Sequence, residues 1–194
     1  MSTFTTILII FAAIVVFAVG LYNRLIKLRV RTDEAWADID VQLKRRYDLI
    51  PNLIETVKGY TSHEKETLTA VLEARSKATS ASIDVSNVTS EQMATFAATQ
   101  SGLSGALGRL MAVAEAYPDL KANQNFSELQ AELTDTEDKI QAARRFYNAN
   151  VRDLNIAVQS FPANIFASMF GFGSREFFEL EEGSVEKEPV KVSF

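Results

Sequence analysis

Residues Phe4 to Tyr22 (FTTILIIFAAIVVFAVGLY) run for 19 residues without a charged side chain. At about 1.5 Å per residue, a helix of this length nearly matches the roughly 30 Å hydrocarbon core of a bilayer. A cleaved signal peptide is the competing reading, and Ala18-Val19-Gly20 loosely offers its small-x-small cleavage pattern. The charge pattern has the wrong polarity for secretion: Met1 to Thr6 holds no cation, whereas Arg24, Lys27, Arg29 and Arg31 come after the apolar run. Cations on that flank hold it in the cytoplasm and leave a very short N-terminus outside. The expectation is an uncleaved, single-pass anchor in the lipid bilayer, with Tyr22 at the interface and Arg24 and Lys27 reaching towards headgroups.

Beyond the anchor the chain is acidic and free of cysteine. Met1 to Arg31 holds four cations and no acid, so with a net charge of −5 the rest of the chain carries −9, which argues against nucleic acid as a partner. With no Cys among 194 residues, disulfide frameworks, thiolate metal sites and cysteine nucleophiles are excluded. Three segments are expected: an anchor with its basic flank (1–31), a helical bundle (32–161), and a Phe-rich then acidic C-terminal tail (162–194).

Helical periodicity runs through the body. Trp36, Ile39, Leu43, Tyr47, Ile50, Leu53, Ile54 and Val57 recur at steps of three or four, and Pro51 is expected to kink this helix rather than end it. No breaker separates Tyr22 from Asp33, so anchor and first body helix read as one rod, with a fresh start capped by Thr32 as the alternative. Thr61 with Glu64 fits a capping box for a second helix carrying Leu68, Val71 and Leu72 to about Ala78; Thr89 with Gln92 fits another. The third helix carries Met93, Phe96, Leu103, Leu107, Leu110, Val113 and Tyr117, and ends before Pro118. Gly102, Gly105 and Gly108 lie on its neighbouring turns and predict close approach of another helix, with a flexible hinge as the alternative. Ser127 and Gln130 cap a long fourth helix with the stripe Leu129, Leu133, Ile140, Ala143, Tyr147, Val151, Leu154, Val158 and Phe161, stopped by Pro162. The fold class is therefore all-α: an N-terminal transmembrane helix continuing into an elongated antiparallel bundle of about four helices.

Phe161 to Phe178 is Phe-rich and too broken to span a membrane. Three roles are open to it: packing on the bundle, lying at the membrane surface, or meeting a partner or second subunit. The acidic remainder reads as solvated, apart from Pro189 to Phe194, which alternates like a short strand.

The chemistry-bearing residues assemble no catalytic pattern. His63-Glu64-Lys65-Glu66-Thr67 invites comparison with H-E-x-x-H, but Thr67 stands at the second His position and His63 is the one His in the chain. Asp135, Glu137 and Asp138 read as a solvated face, since di-metal bundles need Glu-x-x-His pairs pointing inward. Lys44, Arg45 and Arg46 with Asp48 on the first body helix, and Arg144, Arg145, Tyr147, Asn148 and Asn155 on the fourth, form the candidate interaction or structural-network residues. If the two helices pack together, their cations are expected to meet Asp48, Glu55, Glu115 or Glu137 as partly buried pairs, with an anionic-ligand pocket as the alternative. Asn148 and Asn155 lie a heptad apart on one face, and polar residues in an apolar seam specify alignment or oligomer state.

Glu34-Ala35-Trp36, Ile39 to Arg46 (IDVQLKRR), Asp48 to Leu53 (DLIPNL) and Val57-Lys58-Gly59-Tyr60 closely resemble the LemA family of bacterial membrane proteins. Glu115 to Asn123 (EAYPDLKAN), Arg144 to Asn148 (RRFYN) and Phe161-Pro162 agree in order, so the resemblance covers essentially the whole chain. It implies an N-terminal transmembrane helix with its N-terminus outside, an elongated helical bundle, and residence in the inner or plasma membrane of a bacterium. It implies no settled biochemical activity. The expectation is a non-enzymatic scaffold without cofactor or metal, its coiled-coil-like bundle forming a homo-oligomer or recruiting another membrane protein. The rival readings are an accessory subunit or regulator of a membrane enzyme such as a protease, and an enzyme in its own right.

Overall fold

The computed structural model describes residues 3–61 and 64–179, and every regular element among them is helical. In chain order these are α1 (Thr3–Lys58), α2 (Lys65–Ser80), α3 (Ser90–Ala114), α4 (Pro118–Lys121), α5 (Gln124–Gln159) and α6 (Ala163–Phe170).

α1 is one helix of 56 residues. Its apolar start has no residue buried by the rest of the protein and is long and apolar enough to cross a membrane. Thr32 does not cap a fresh start: its buried hydroxyl donates to the Leu28 carbonyl (2.9 Å) within the continuing helix. Helix α1 also runs through Pro51. Proline has no N–H to bond the carbonyl four residues back, and that carbonyl, on Tyr47, instead accepts from Arg75 Nε of α2 at 2.8 Å. A neighbouring helix thus supplies the donor that the helix itself lacks.

α5 lies antiparallel to α1. Arg45 reaches Glu132 at one end, Trp36 packs edge-on against Tyr147 (5.2 Å) in the middle, and Leu25 shares a cluster with Ala157 at the other end. α2 and α3 form an antiparallel hairpin over this pair. Its open end is tied by Tyr117 Oη to Glu64 (3.1 Å), and Tyr47 Oη bridges Ala78 and Gln100 nearer the loop. The core is stacked in three clusters along the rod. The first joins Leu49 to Val57 with Leu68, Val71, Leu103 to Leu110, Phe126 and Leu133. The second surrounds Trp36 with Ile39, Phe96, Ile140, Tyr147 and Phe178, and the third joins Leu25, Ala157, Ala167 and Phe172.

Helix boundaries obey local capping chemistry. The Thr89–Gln92 box forms, with Gln92 N on Thr89 Oγ1 (3.2 Å) and Thr89 N on Gln92 Oε1 (2.9 Å). The Thr61–Glu64 box does not. Thr61 is buried and its hydroxyl closes the end of α1 on the Val57 carbonyl (3.0 Å), which leaves Glu64 to accept from Tyr117. α5 starts at Gln124 rather than Ser127, because Asn123 Oδ1 accepts from Phe126 N (3.0 Å) and claims the cap first. The glycine expectation is corrected too: Gly102, Gly105 and Gly108 face outward, and among the described residues nothing lies within 4 Å of where a Cβ would stand on each. Phe161, counted in the α5 stripe, lies beyond that helix and is 81% exposed. His63 and the alternating stretch from Pro189 lie outside the described residues.

The C-terminal segment packs on the bundle. After α6, Gly171 takes the left-handed conformation (φ 71°), and residues 172–179 return without helical structure along α5 until Phe178 enters the Trp36 cluster.

Candidate functional site

Two polar assemblies stand out against the apolar clusters: Arg46 belongs to the first and Tyr147, Asn148 and Asn155 to the second, while Lys44, Asp48 and Arg145 stay on the surface. The first is built on Arg46. Successive helix residues diverge by about 100°, so the basic run on α1 does not form a single patch. Lys44 stays exposed at the lip of a cleft, Arg45 crosses the surface to Glu132 (2.9 Å), and Arg46 is buried, 1% exposed, between the first two clusters. Arg46 Nη1 donates to Glu137 (3.0 Å) and Ser104 Oγ (3.1 Å), and its Nη2 donates to Gln100 Oε1 (2.5 Å). Gln100 Nε2 donates to Tyr47 Oη (2.8 Å), which lies 3.3 Å from the Ala78 carbonyl. One guanidinium and its neighbours therefore tie α1, α2, α3 and α5 at a single level. Removal from water raises the Tyr47 phenol above its ordinary value, and the Gln100 bond and the Arg46 charge oppose this. Buried Arg46 Nε has no hydrogen-bond partner among the described residues. An imperfectly satisfied buried charge is a poor source of stability, but it admits few registers of the helices around it.

The other expected pairings go elsewhere. Asp48 is exposed, Glu55 pairs with Lys58 (2.7 Å) and Glu115 with Lys121 (2.5 Å), and Asp135 is held below the usual carboxylate range chiefly by its hydrogen bond from Lys139. Arg145 is exposed, and Arg144 lies over the Phe178 ring at 6.0 Å. The cations of α1 and α5 therefore do not converge on a common anion pocket.

The second assembly holds the C-terminal strap, residues 172–179. Asn155 meets the backbone of Arg175 twice, accepting from its N–H (2.8 Å) and donating to its carbonyl (2.9 Å). Asn148 does the same to Phe178 at 2.9 and 3.0 Å. A carboxamide carries a donor and an acceptor side by side, as a strand edge does. Each Asn thus stands in for a paired β-strand residue. Tyr147 Oη donates to the Glu176 carbonyl (3.0 Å), and burial pushes its pKa up to about 12. The Arg175 side chain crosses to Asp33 on α1 (3.1 Å) and to the Val85 carbonyl of the α2–α3 loop, so the strap also fastens that loop to α1.

Sequence reasoning did not single out Gln100, Ser104, Asp33 or Arg175. Arg175 had one visible signal, as the first charge after 21 uncharged residues from Leu154 to Ser174. Gln100 and Ser104 looked like ordinary polar residues of α3. Among the described residues, no group of three His, Asp or Glu side chains is arranged to hold a metal. Both assemblies organise structure: apart from Arg46 Nε, the donors described above are spent on groups of the chain itself.

Known proteins supply the context. Protein LemA of Metamycoplasma hominis is 27% identical over 175 residues, which cover 90% of this chain and 75% of the relative. Magnetosome protein MamQ 2 of Paramagnetospirillum magneticum is 37% identical over 78 residues, covering 40% of this chain and 29% of the relative. MamQ of Magnetospirillum gryphiswaldense is 35% identical over 77 residues, covering 40% and 28%. The matched stretch is thus less than a third of either MamQ protein. Residues 35–194 match the LemA family throughout, taking in α1 from Ala35 onward, the Arg46 assembly and the strap. The chain belongs to the LemA family.

Proposed function

We propose that this protein is a non-enzymatic, membrane-anchored scaffold whose body faces the cytoplasm and self-associates or presents a surface to other envelope proteins. The observation that carries this reading is α1 itself, unbroken from the apolar span into the bundle. A continuous helix gives the body a fixed attachment to its anchor, which suits a part that positions others. The four cations after the span favour the cytoplasmic side. Self-association is supported by the outward row Gly102, Gly105 and Gly108, where open space above the backbone leaves room for a helix of a second copy.

Mass and shape of the detergent-purified full-length protein test the role. A homo-oligomer supports the scaffold; a monomer that enlarges only when a membrane enzyme is added replaces it with the accessory-subunit reading. Orientation is tested with single cysteines at Ser2 and Ser184, since the chain has none of its own. In intact cells a membrane-impermeant thiol reagent is expected to label the Ser2 variant alone. Labelling at Ser184 before lysis would place the body outside.

A further inference from the structure

Leu154 to Ser174 contains no Asp, Glu, Lys or Arg, although these residues make up 23% of the chain. The run comprises the end of α5, the bend at Phe161-Pro162, and α6. One side of it is packed beside the exit of the apolar span. Phe170 and Phe172 meet the Tyr22 ring edge-on at 5.0 and 5.7 Å, and Ala167 and Phe172 share a small core with Leu25 and Ala157. The other side is apolar and open: Ile156, Phe161, Ile165 and Met169 are each more than half exposed, and Phe170 stands at the edge between the two sides. From Arg31 to Asn155, by contrast, Val41, Tyr60, Leu72 and Phe146 are the large hydrophobics found exposed. Exposed apolar surface is therefore concentrated at the end of the body nearest the span.

We propose that α6 and the bend before it lie in the lipid interface, as a second membrane contact beside the anchor. This rests on the reading that Phe4 to Tyr22 spans the bilayer. If it does, Tyr22 stands at the level where aromatic side chains meet headgroups, and the rings packed on it share that depth. A short, uncharged helix with an aliphatic and aromatic outer face suits that layer, where Asn164 and Ser168 on the same surface have polar headgroup atoms to meet. Exposed Arg24 and Lys27 on α1 lie within about two turns of Tyr22 and provide cations for lipid phosphates at the same height. Lipid is favoured over a second copy because the face is continuous with the lipid-contacting span. Two contacts restrain the tilt of the bundle against the bilayer, where one helix alone leaves it free. They also place the start of the strap at the membrane, since Gly171 leads directly from α6 to Phe172.

The test uses the full-length chain with single cysteines carrying an environment-sensitive fluorophore, reconstituted in phosphatidylcholine/phosphatidylglycerol vesicles with nitroxide-labelled lipids as quenchers. Ile165→Cys and Met169→Cys report on α6, Val15→Cys on the span, and Ser101→Cys on the body. Ser101 adjoins Gln100, which bonds Arg46, about 36 Å along α1 from Tyr22. The labels at 165 and 169 are expected to shift to the blue and to be quenched several-fold more strongly than the label at 101 by nitroxides near the headgroup. The label at 15 is expected to be quenched by nitroxides deep in the acyl chains. Quenching at 15 with water-like emission at 165 and 169 would overturn the second contact and leave the anchor standing. Blue-shifted emission at 165 and 169 that lipid nitroxides leave unquenched would show another protein covering the face and overturn it equally. No quenching at 15 would remove the anchor and the second contact together.

Discussion

At the scale of single residues, the chain repeatedly meets a backbone or charge problem with one long side chain from another helix. Arg46→Met removes the donor shared by Glu137, Gln100 and Ser104, and breaking a buried ion pair from one side costs about 3 to 5 kcal/mol. A thermal or urea transition of the detergent-solubilised protein is expected to fall accordingly; Glu137→Gln is expected to cost less, because the amide oxygen that replaces the carboxylate still accepts from Arg46 Nη1. Arg75 and Pro51 offer a cleaner measurement. Arg75→Met strips the Tyr47 carbonyl of its donor and is expected to cost about 1 to 2 kcal/mol in the native chain. In a Pro51→Ala background the helix regains an N–H for that carbonyl, so the cost of the same change is expected to shrink. Additive effects in this double-mutant cycle would disprove the substitution of one donor for the other. Tyr147 gives the pH dependence. Its pKa rises from an ordinary 10.0 to about 12 on folding, so the neutral phenol is favoured in the folded state. The stability this contributes is complete below pH 10 and is lost as pH climbs through the folded value, about 2 to 3 kcal/mol at roughly 1.4 per unit. Tyrosinate absorbance is expected to show a late-ionising component that is smaller by one phenol in Tyr147→Phe, with Tyr47 still contributing to it.

At the scale of elements, the strap depends on a match between two periodicities. Seven residues of helix advance about 10.5 Å and three residues of extended chain about 10 Å. Asn148 and Asn155 on α5 can therefore hold Phe178 and Arg175 in step. Asn155→Leu removes both bonds to the Arg175 backbone, and hydrogen exchange at the Arg175 amide is expected to quicken by at least tenfold. Asn155→Asp keeps the acceptor for that N–H and is expected to protect it better than Leu. Equal protection in all three proteins would mean that the remaining contacts, from Asn148, Tyr147, the Arg175 side chain and Phe178, hold the strap without Asn155. The heptad of asparagines was visible in the sequence, but what it faces was not, because an extended segment with no apolar period announces no partner. The helical stripes were legible for the opposite reason: Trp36, Ile39 and Leu43 repeat at helical spacing and are all buried. Capping was legible only in part. The Thr89 hydroxyl accepts from Gln92 N as the box requires, whereas the Thr61 hydroxyl is turned to the Val57 carbonyl at the end of α1. The outward glycines failed as a packing signal within the chain because a small residue leaves room for a neighbour without supplying one.

At the scale of the whole molecule, the boundary between anchor and body does not fall where the charge pattern ends. Arg31 closes the basic flank, yet the body already begins at Leu25, which is 1% exposed among Ala157, Ala167 and Phe172. Arg29 continues this junction by lying over the Phe172 ring at 5.3 Å. Two truncations locate the boundary, both compared in mild detergent that covers the open face of α6. A chain beginning at Asn23 loses the span, none of which the rest of the protein buries, and it also loses the Tyr22 ring. It is expected to keep its helical circular dichroism, its blue-shifted Trp36 fluorescence and its protected strap. A chain beginning at Thr32 loses Leu25 and the Arg29 contact with them. Emptying a buried leucine site costs about 2 to 5 kcal/mol, which at about 2 to 4 °C per kcal/mol for a body of this size is a melting temperature lower by of the order of 10 °C. The two larger clusters do not use the deleted residues, so most of the helix signal and the Trp36 emission are expected to survive. The damage should be confined to α6 and the first residues of the strap, seen as faster exchange from Ala163 to Arg175. Unfolding of the whole body in the shorter chain would show that the third cluster is no separable end piece. Identical behaviour of the two chains would show that Leu25 and Arg29 belong to the anchor after all.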